Sequence, residues 1–189
     1  MQPSSPDEQR DRTMTLEAFA DTIVPGEKRS PEDVAIAGAS TGAGAVEAGA
    51  LELLSHPATG IGGSLDYLAG ALNAHAAAYA AELGLPAAED LPAFVALSYE
   101  QRAGLVQKLT TPGHPEKDGW VLLALFSNMA FDSAAHRHTA EALADGHPGL
   151  LAMGLTPPDP DGLWRFPEYS YGRQLASPHP DTTASGSPA

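Results

Sequence analysis

Three polar side chains recur every four residues within the mostly apolar segment "GWVLLALFSNMAFDSAAHRHTAEALADG". They are Asn128, Asp132 and His136, and on an α-helix this spacing places them on one stripe. A carboxylate beside an imidazole fixes the tautomer of the ring, which is how many general bases are oriented. Asp132 and His136 are therefore the candidate catalytic pair, with Asn128 beside them. The same stripe is more typical of a solvent-facing face or of a structural hydrogen-bonded pair.

The histidines do not predict a metal site. His136 and His138 lie two residues apart, so on a helix their side chains diverge by about 200°. The sequence has no cysteine and no His-Glu-x-x-His pattern, the common zinc-binding arrangements. Four further histidines each precede a proline, a context typical of turns: His56, His114, His147 and His179. We expect neither a metal nor a cofactor in this chain.

The serines of the apolar segment do not indicate nucleophilic chemistry. Ser127 and Ser133 fall in that segment, but neither is flanked by the glycines of a Gly-x-Ser-x-Gly elbow. The glycine-rich stretch "GASTGAGAVEAG" lacks the Lys-Ser/Thr of a phosphate-binding loop. Its small residues favour close helix packing instead.

The elements that would position these groups are helices. Apolar residues recur with a helical period between Pro and Gly breaks, and no segment alternates with a period of two. The predicted helices run from 15 to the turn at 25–26, from 42 to 54, from 64 to 83 and from 99 to 109. Thr15 is expected to cap the first, and Ser98 with Gln101 has the spacing of a capping box. The apolar segment from Trp120 onward predicts a central helix that the others surround. The predicted fold class is all-α, a compact helical bundle.

Composition divides the chain into four parts. We predict a disordered lead at 1–12, a helical domain at 13–147, an irregular docked tail at 148–180 and a disordered end at 181–189. The tail is rich in proline and carries several aromatic residues. Disordered segments are poor in aromatic residues because they cannot bury them. We therefore expect the tail to lie against its own domain or a partner.

The charge of the chain limits its partners. Ten Lys and Arg residues against 24 Asp and Glu residues give a net charge of −14. Nucleic acids and anionic membranes bind through Lys and Arg, so both are disfavoured. The first residues show no basic stretch leading into an apolar run, and no segment is apolar enough to span a bilayer. These features predict a cytoplasmic protein without membrane insertion, and export together with a partner stays open.

The stretch "LEAFADTIVPG" carries a resemblance to a known family. Leu16, Asp21, Ile23, Pro25 and Gly26 match the Leu-x-x-x-x-Asp-x-Ile-x-Pro-Gly pattern with which members of the gluconate 2-dehydrogenase subunit 3 family typically open. The element "LSYEQRAGLVQKL" and the long apolar helix are also similar, and the tail "GLWRFPEYSYGRQLASPHPDTT" resembles related actinobacterial proteins. The resemblance implies a small, helical, non-catalytic subunit beside a larger flavin-dependent oxidoreductase of the glucose-methanol-choline type. FAD would then be held by the partner.

Three functions are consistent with the sequence. The first is such an accessory subunit, with partner-binding residues Phe19, Trp164, Phe166, Tyr169, Tyr171 and Arg173, since aromatic and arginine side chains dominate interfaces. The second is a stand-alone cyclase or isomerase of secondary metabolism that uses Asp132 and His136 as acid and base. The third is a structural or oligomer-forming module.

Overall fold

The fold of the described part of the chain is entirely helical. The computed structural model describes residues 5–157, and over this range it contains helices and turns but no strand. The helices are α1 (Pro6–Ile23), α2 (Ala50–Ser55), α3 (Leu65–Glu82), α4 (Tyr99–Leu109), α5 (Lys117–Ser133), α6 (Thr139–Ala144) and α7 (Pro148–Ala152). The all-α prediction is confirmed. Within residues 5–157, no helix combines the length and the apolar character that crossing a membrane requires.

The chain divides into two units, Met1–Leu155 and Thr156–Ala189. The seven described helices belong to the first unit. We predicted the boundary after residue 147, which is too early, because Leu150 of α7 is fully buried against Ala134, Ala142 and Leu143. The remainder of the predicted tail and the predicted disordered end lie outside the described residues from 158 onward.

Helix α1 begins earlier than its apolar stripe indicates. The Ser5 side chain accepts a hydrogen bond from the Glu8 N–H at 3.2 Å, and the Glu8 carboxylate accepts one from the Ser5 N–H at 2.7 Å. This capping box, with Pro6 at the first helical position, starts a helix efficiently. The prediction of disorder is therefore wrong for residues 5–12. Thr15 is not a cap but a buried interior residue, whose hydroxyl donates to the Asp11 carbonyl at 2.7 Å.

The glycine-rich segment forms turns where we predicted a helix from 42 to 54. Gly42 and Gly49 have φ angles of 87° and 89°, which a right-handed helix does not contain. Gly44 lies against the backbone of residues 24–26, and a Cβ built on it would stand 2.5 Å from the Gly26 nitrogen. The glycines thus serve backbone contact and reversal of the chain, and only α2 remains helical.

Helices α3 and α4 follow their predictions. α3 spans Leu65–Glu82, and α4 spans Tyr99–Leu109. At the start of α4, the Ser98 N–H donates to the Gln101 side chain at 2.8 Å and the Gln101 N–H donates to the Ser98 hydroxyl at 3.4 Å. The predicted capping box is confirmed.

Helix α5 is central to the first unit, as predicted. It packs against α1, α2, α4 and α7. On its buried face Trp120 lies beside Phe19 of α1, with ring centroids 6.5 Å apart, and Phe19 also contacts Phe94 at 6.3 Å. These three aromatic rings are fully buried and form the middle of the core.

The predicted continuation of α5 through residues 136 and 138 is wrong. The helix ends at Ser133, and Ala134 takes a left-handed conformation with φ of 48°. Gly149 of α7 rests directly on the carbonyl of Phe131, so the last turn of α5 is covered by another helix. Tertiary packing, with no Gly or Pro in the local sequence, ends the helix here.

Arg102 is a buried cation that joins two loops to α4. Its guanidinium donates to four backbone carbonyls over 2.6–3.1 Å: those of Val34, Ala35, Val95 and Leu97. Burial lowers the pKa of Arg102, and the negative charges of Asp21 and Asp33 oppose that shift. Its four acceptors and these nearby charges compensate for the loss of hydration.

Candidate functional site

The predicted polar stripe is only partly assembled. Asn128 and Asp132 lie on α5, and the Asn128 amide donates to the Asp132 carboxylate at 2.7 Å. His136 lies beyond the end of the helix, and among the described residues no hydrogen bond joins it to Asp132. The sequence spacing assumed a helix that continues past Ser133. The orientation of His136 by Asp132 is therefore not formed.

His136 has a different environment from the one predicted. Its ring lies beside Gly49 and near His147, with the two imidazole centroids 6.1 Å apart. Burial lowers the pKa of His136, while Glu52 opposes the shift and His147 adds to it. Its Nδ1 is buried and lacks a hydrogen-bond partner within the described part of the chain. A neutral imidazole at this position is the favoured state.

His147 is a structural residue. Its Nε2 lies 2.9 Å from the Ala48 carbonyl, and its Nδ1 accepts from the Leu150 N–H at 3.3 Å. Both ring nitrogens are thus occupied when Nε2 carries the proton. The ring ties the turn before α2 to the start of α7.

The Asp-x-Ile-x-Pro-Gly motif forms a buried corner after α1. One carboxylate oxygen of Asp21 accepts from the Gly26 N–H at 3.0 Å, and the other accepts from the Ala37 N–H at 2.8 Å. Gly26 and Gly44 are in direct backbone contact, so neither position accepts a side chain without displacement. The motif positions a loop against α1, and its role in the described structure is architectural.

The predicted partner-binding residues fall into two groups. Phe19 is fully buried, so its assignment to a partner surface is corrected: it is a core residue, because the apolar stripe of α1 faces α5 and not solvent. The other five lie outside the described residues, and their role stays a prediction: Trp164, Phe166, Tyr169, Tyr171 and Arg173.

Helix α5 exposes an apolar face opposite its buried one. Val121, Leu122 and Leu125 are 40%, 40% and 47% exposed, although they belong to the helix that supplies Trp120 and Leu123 to the core. By helical geometry the three lie within an arc of about 100°, and the hydrogen-bonded pair Asn128 and Asp132 continues it toward the C-terminal end. We call these five residues the α5 face. Contiguous exposed apolar side chains bordered by polar ones are typical of protein-binding surfaces.

A second apolar surface carries no chemistry. A groove of about 420 Å³ lies between the end of α3 and the segment that leads to α4, and its lining consists of alanines, Leu85, Pro86, Leu97 and Gln101. No titratable side chain lines it. It offers room for apolar groups but no acid, base or nucleophile.

One cluster of ionisable side chains was not predicted. His75 of α3 lies 2.6 Å through Nε2 from an oxygen of Glu116, the residue before α5. The other oxygen of Glu116 accepts from the Tyr67 hydroxyl at 3.3 Å, and His114 lies beside them. The bond from His75 lowers the pKa of Glu116, burial opposes this, and Tyr67 and Trp120 add to it. His75, His114 and Glu116 can together hold a metal ion.

The sequence could have indicated only part of this cluster. His114 and Glu116 flank Pro115 directly before a helix, which places both in one turn. His75 is 41 residues from Glu116 and sits within an alanine-rich helix, so no local spacing connects the two. Only the packing of α3 beside the start of α5 brings them together.

Comparison with known proteins assigns the chain to a family. A model described as a family of unknown function, DUF5987, matches residues 10–189. The chain belongs to this family. No curated protein matches the chain, and no solved structure does. The DUF5987 match begins within α1 and includes the Asp21 corner, the α5 face and the histidine cluster.

Proposed function

We propose that this chain is a non-catalytic accessory subunit that binds and stabilises a larger FAD-dependent oxidoreductase of the glucose-methanol-choline type. The observation that carries the proposal is the α5 face. It is supported by the resemblance of the "LEAFADTIVPG" segment to the subunit 3 family. In this proposal the chain holds no flavin, and FAD belongs to the partner.

The α5 face has the composition that a subunit interface needs. Its centre is apolar, with Val121, Leu122 and Leu125 roughly half exposed, and its end is polar, with Asn128 and Asp132 already paired to each other. At the rim of an interface a paired amide and carboxylate satisfy each other, and the second N–H of the amide stays accessible to water. An α-helix with such a face is suited to a groove on a partner, where side chains at helical spacing act as anchors.

The expected loss of affinity for the partner follows from the apolar surface that Leu125 still exposes and could bury in a complex. Complete burial of a leucine contributes about 1.5–3 kcal/mol, and Leu125 still exposes 47% of its surface. Replacing that leucine by aspartate loses the apolar contact and buries an unpaired charge in the complex. Such a change at the centre of an interface typically costs about 2 kcal/mol or more, which is about 30-fold in affinity.

The test is co-purification of a flavoprotein. Tagged full-length chain is expressed in its source cells, purified with mild washing and scanned for flavin absorbance in the retained complex. We expect a flavoprotein in near-stoichiometric amount with the native chain and little with Leu125→Asp. Leu83→Asp is the matched control, because Leu83 has the same 47% exposure but lies at the end of α3. This control should retain the flavoprotein.

Three results would count against the proposal. These are absence of flavin from the native preparation, equal loss with both aspartate variants, and turnover by the colourless isolated chain. The last would favour the stand-alone enzyme. Truncation before Leu163 tests the predicted tail residues separately: loss of the flavoprotein with an unchanged melting temperature would assign them to the interface.

A further inference from the structure

We infer that His75, His114 and Glu116 form a binding site for one divalent transition-metal ion of the zinc type. Three side chains from two separate parts of the chain converge there. Their ligand atoms all lie within 4.8 Å of one another. The site is independent of the proposed interface, because none of the three belongs to the α5 face.

The ligand atoms lie near the separations of a tetrahedral site, and small side-chain movements would reach them. Zinc bonds nitrogen and oxygen at about 2.0–2.2 Å, so two ligand atoms of one tetrahedral site lie about 3.3 Å apart. The Nε2 of His75 and the carboxylate of Glu116 are now 2.6 Å apart, closer than a shared ion allows. If the proton of His75 moves from Nε2 to Nδ1, side-chain adjustments on the order of 1 Å convert this hydrogen bond into two metal bonds and bring in His114.

Neighbouring aromatic rings hold the ligands in place. The His75 ring stands edge-on to His114 and to Trp120, with centroid distances of 5.7 Å and 5.9 Å. All three ligands are half-buried, so an ion can enter from solvent. Rings fixed by packing lose little freedom when they bind a metal.

A buried donor provides an independent indication. Trp120 is almost completely buried, and among the described residues its indole N–H has no hydrogen-bond partner. An unmet buried N–H is costly, and this one lies beside the Glu116 carboxylate. Ligating carboxylates are characteristically oriented by such donors. A carboxylate turned toward an ion can accept from Trp120 with its second oxygen.

The donor set selects the class of metal. Imidazole nitrogens suit zinc and its neighbours in the first transition series, whereas Mg²⁺ and Ca²⁺ prefer oxygen ligands. Two imidazoles and one carboxylate leave a fourth position for water or another ligand. Two features oppose binding: the positive end of the α5 dipole, and the bond at 3.2 Å from the Glu116 N–H to Nδ1 of His114. If His114 binds through Nε2, its tautomer changes and that bond is lost.

Without an ion, the same residues would simply be a histidine–carboxylate pair that ties α3 to α5. The experiment must therefore measure metal affinity and not only stability. Full-length chain is freed of metal by chelator dialysis and titrated with ZnCl₂ by calorimetry. A second titration uses CoCl₂, whose visible absorption reports tetrahedral coordination. We expect one ion per chain for each metal.

Two variants remove single ligands. Glu116→Gln keeps a carbonyl oxygen that can accept from His75, so it preserves the pair while removing the charged ligand; His114→Ala removes one imidazole. Loss of supporting residues alone lowers metal affinity about 10- to 100-fold, so loss of a ligand should lower it at least about 100-fold. His138→Ala is the control, because His138 is exposed and its side chain makes no capping bond at α6. It should bind as the native chain does.

Thermal unfolding supplies a second readout. Zinc at about 100-fold above its dissociation constant should raise the melting temperature of the native chain by about 5–10 °C and leave Glu116→Gln almost unchanged. Circular dichroism establishes that each variant is folded. The inference is overturned if the native chain shows no saturable binding. It is equally overturned if folded His114→Ala and Glu116→Gln bind as tightly as the native chain, or if His138→Ala loses the ion.

Discussion

The Asp21 corner provides the sharpest test of how this chain is held together. Asp21 is 1% exposed and accepts one backbone N–H on each carboxylate oxygen. Asp21→Asn keeps the shape but offers one acceptor oxygen and one NH₂ group. Either the Gly26 or the Ala37 N–H must then face another donor.

The expected decrease in the free energy of unfolding follows from the loss of one of these two hydrogen bonds. A hydrogen bond to a charged group contributes about 1.5–3 kcal/mol, and a buried donor left unmet costs about 1–3 kcal/mol. Burying an asparagine costs less free energy than burying an ionised aspartate, which offsets part of the lost hydrogen bond and part of the cost of the unmet donor. We expect a net loss of about 2–4 kcal/mol, and a fall in melting temperature of about 5–15 °C for a unit of this size.

Urea unfolding followed by far-ultraviolet circular dichroism measures this loss. Asp66→Asn is the control, because Asp66 pairs with Arg12 at 2.7 Å but its side chain is 67% exposed. Exposed pairs contribute little, so this variant should stay within about 1 kcal/mol of the native chain. If Asp21→Asn loses less than about 1 kcal/mol with an unchanged denaturant dependence, the corner is not the constraint that its geometry indicates.

Three further predictions concern backbone contact and pH. Gly44→Ala should lower the free energy of unfolding by about 2–3 kcal/mol, because its Cβ would stand 2.5 Å from backbone atoms. Gly70→Ala in α3, where a Cβ has nothing within 4 Å, should raise it by about 0.5–1 kcal/mol. Denaturant unfolding compares the two. Burial tends to raise the pKa of Asp33, but bonds from Arg29 and two backbone N–H groups lower it overall; its stabilisation is present above the usual value of 3.8 and disappears as pH falls through the lowered pKa. Asp33→Asn should therefore be less stable near neutral pH, with the difference vanishing in acid. Burial lowers the pKa of His136 from 6.5, so as pH falls the unfolded chain binds a proton at this histidine before the folded chain does. The native chain should therefore lose stability as pH drops below that value, and His136→Gln should lose less.

Local signals in the sequence account for much of the fold. The period of α3 and the Ser98–Gln101 box of α4 are encoded within single helices, and both predictions are confirmed. The sequence also contains a local signal for the start of α1, because "SPDE" places Ser5 and Glu8 at the spacing of a capping box. The same segment is polar and contains proline, so it also resembles a disordered lead, and this resemblance led to the wrong prediction.

The errors arise where distant contacts decide the local structure. No Gly or Pro near Ala134 indicates the end of α5. What the structure adds there is a contact between distant parts of the chain, because Gly149 of α7 lies directly against the Phe131 carbonyl in the last turn of α5. The predicted site failed for the same reason, because the Asp132 and His136 spacing presumed that continuation. The histidine cluster depends on His75 and Glu116 meeting across 41 residues, a juxtaposition that no periodic pattern encodes.

The backbone contacts that close the loop between α1 and α2 at its base also make this loop suitable for the insertion of additional residues. Gly26 and Gly44 touch, the Glu27 N–H donates to the Gly42 carbonyl at 2.8 Å, and the Ala45 N–H donates to the Val24 carbonyl at 2.9 Å. Within the loop, residues 38–41 are exposed. Lengthening a loop with fixed ends costs only about 0.6 kcal/mol per doubling. A fluorescent or affinity peptide inserted after Ala39 would thus report on complexes of the full chain while leaving the α5 face, the histidine cluster and both termini unaltered.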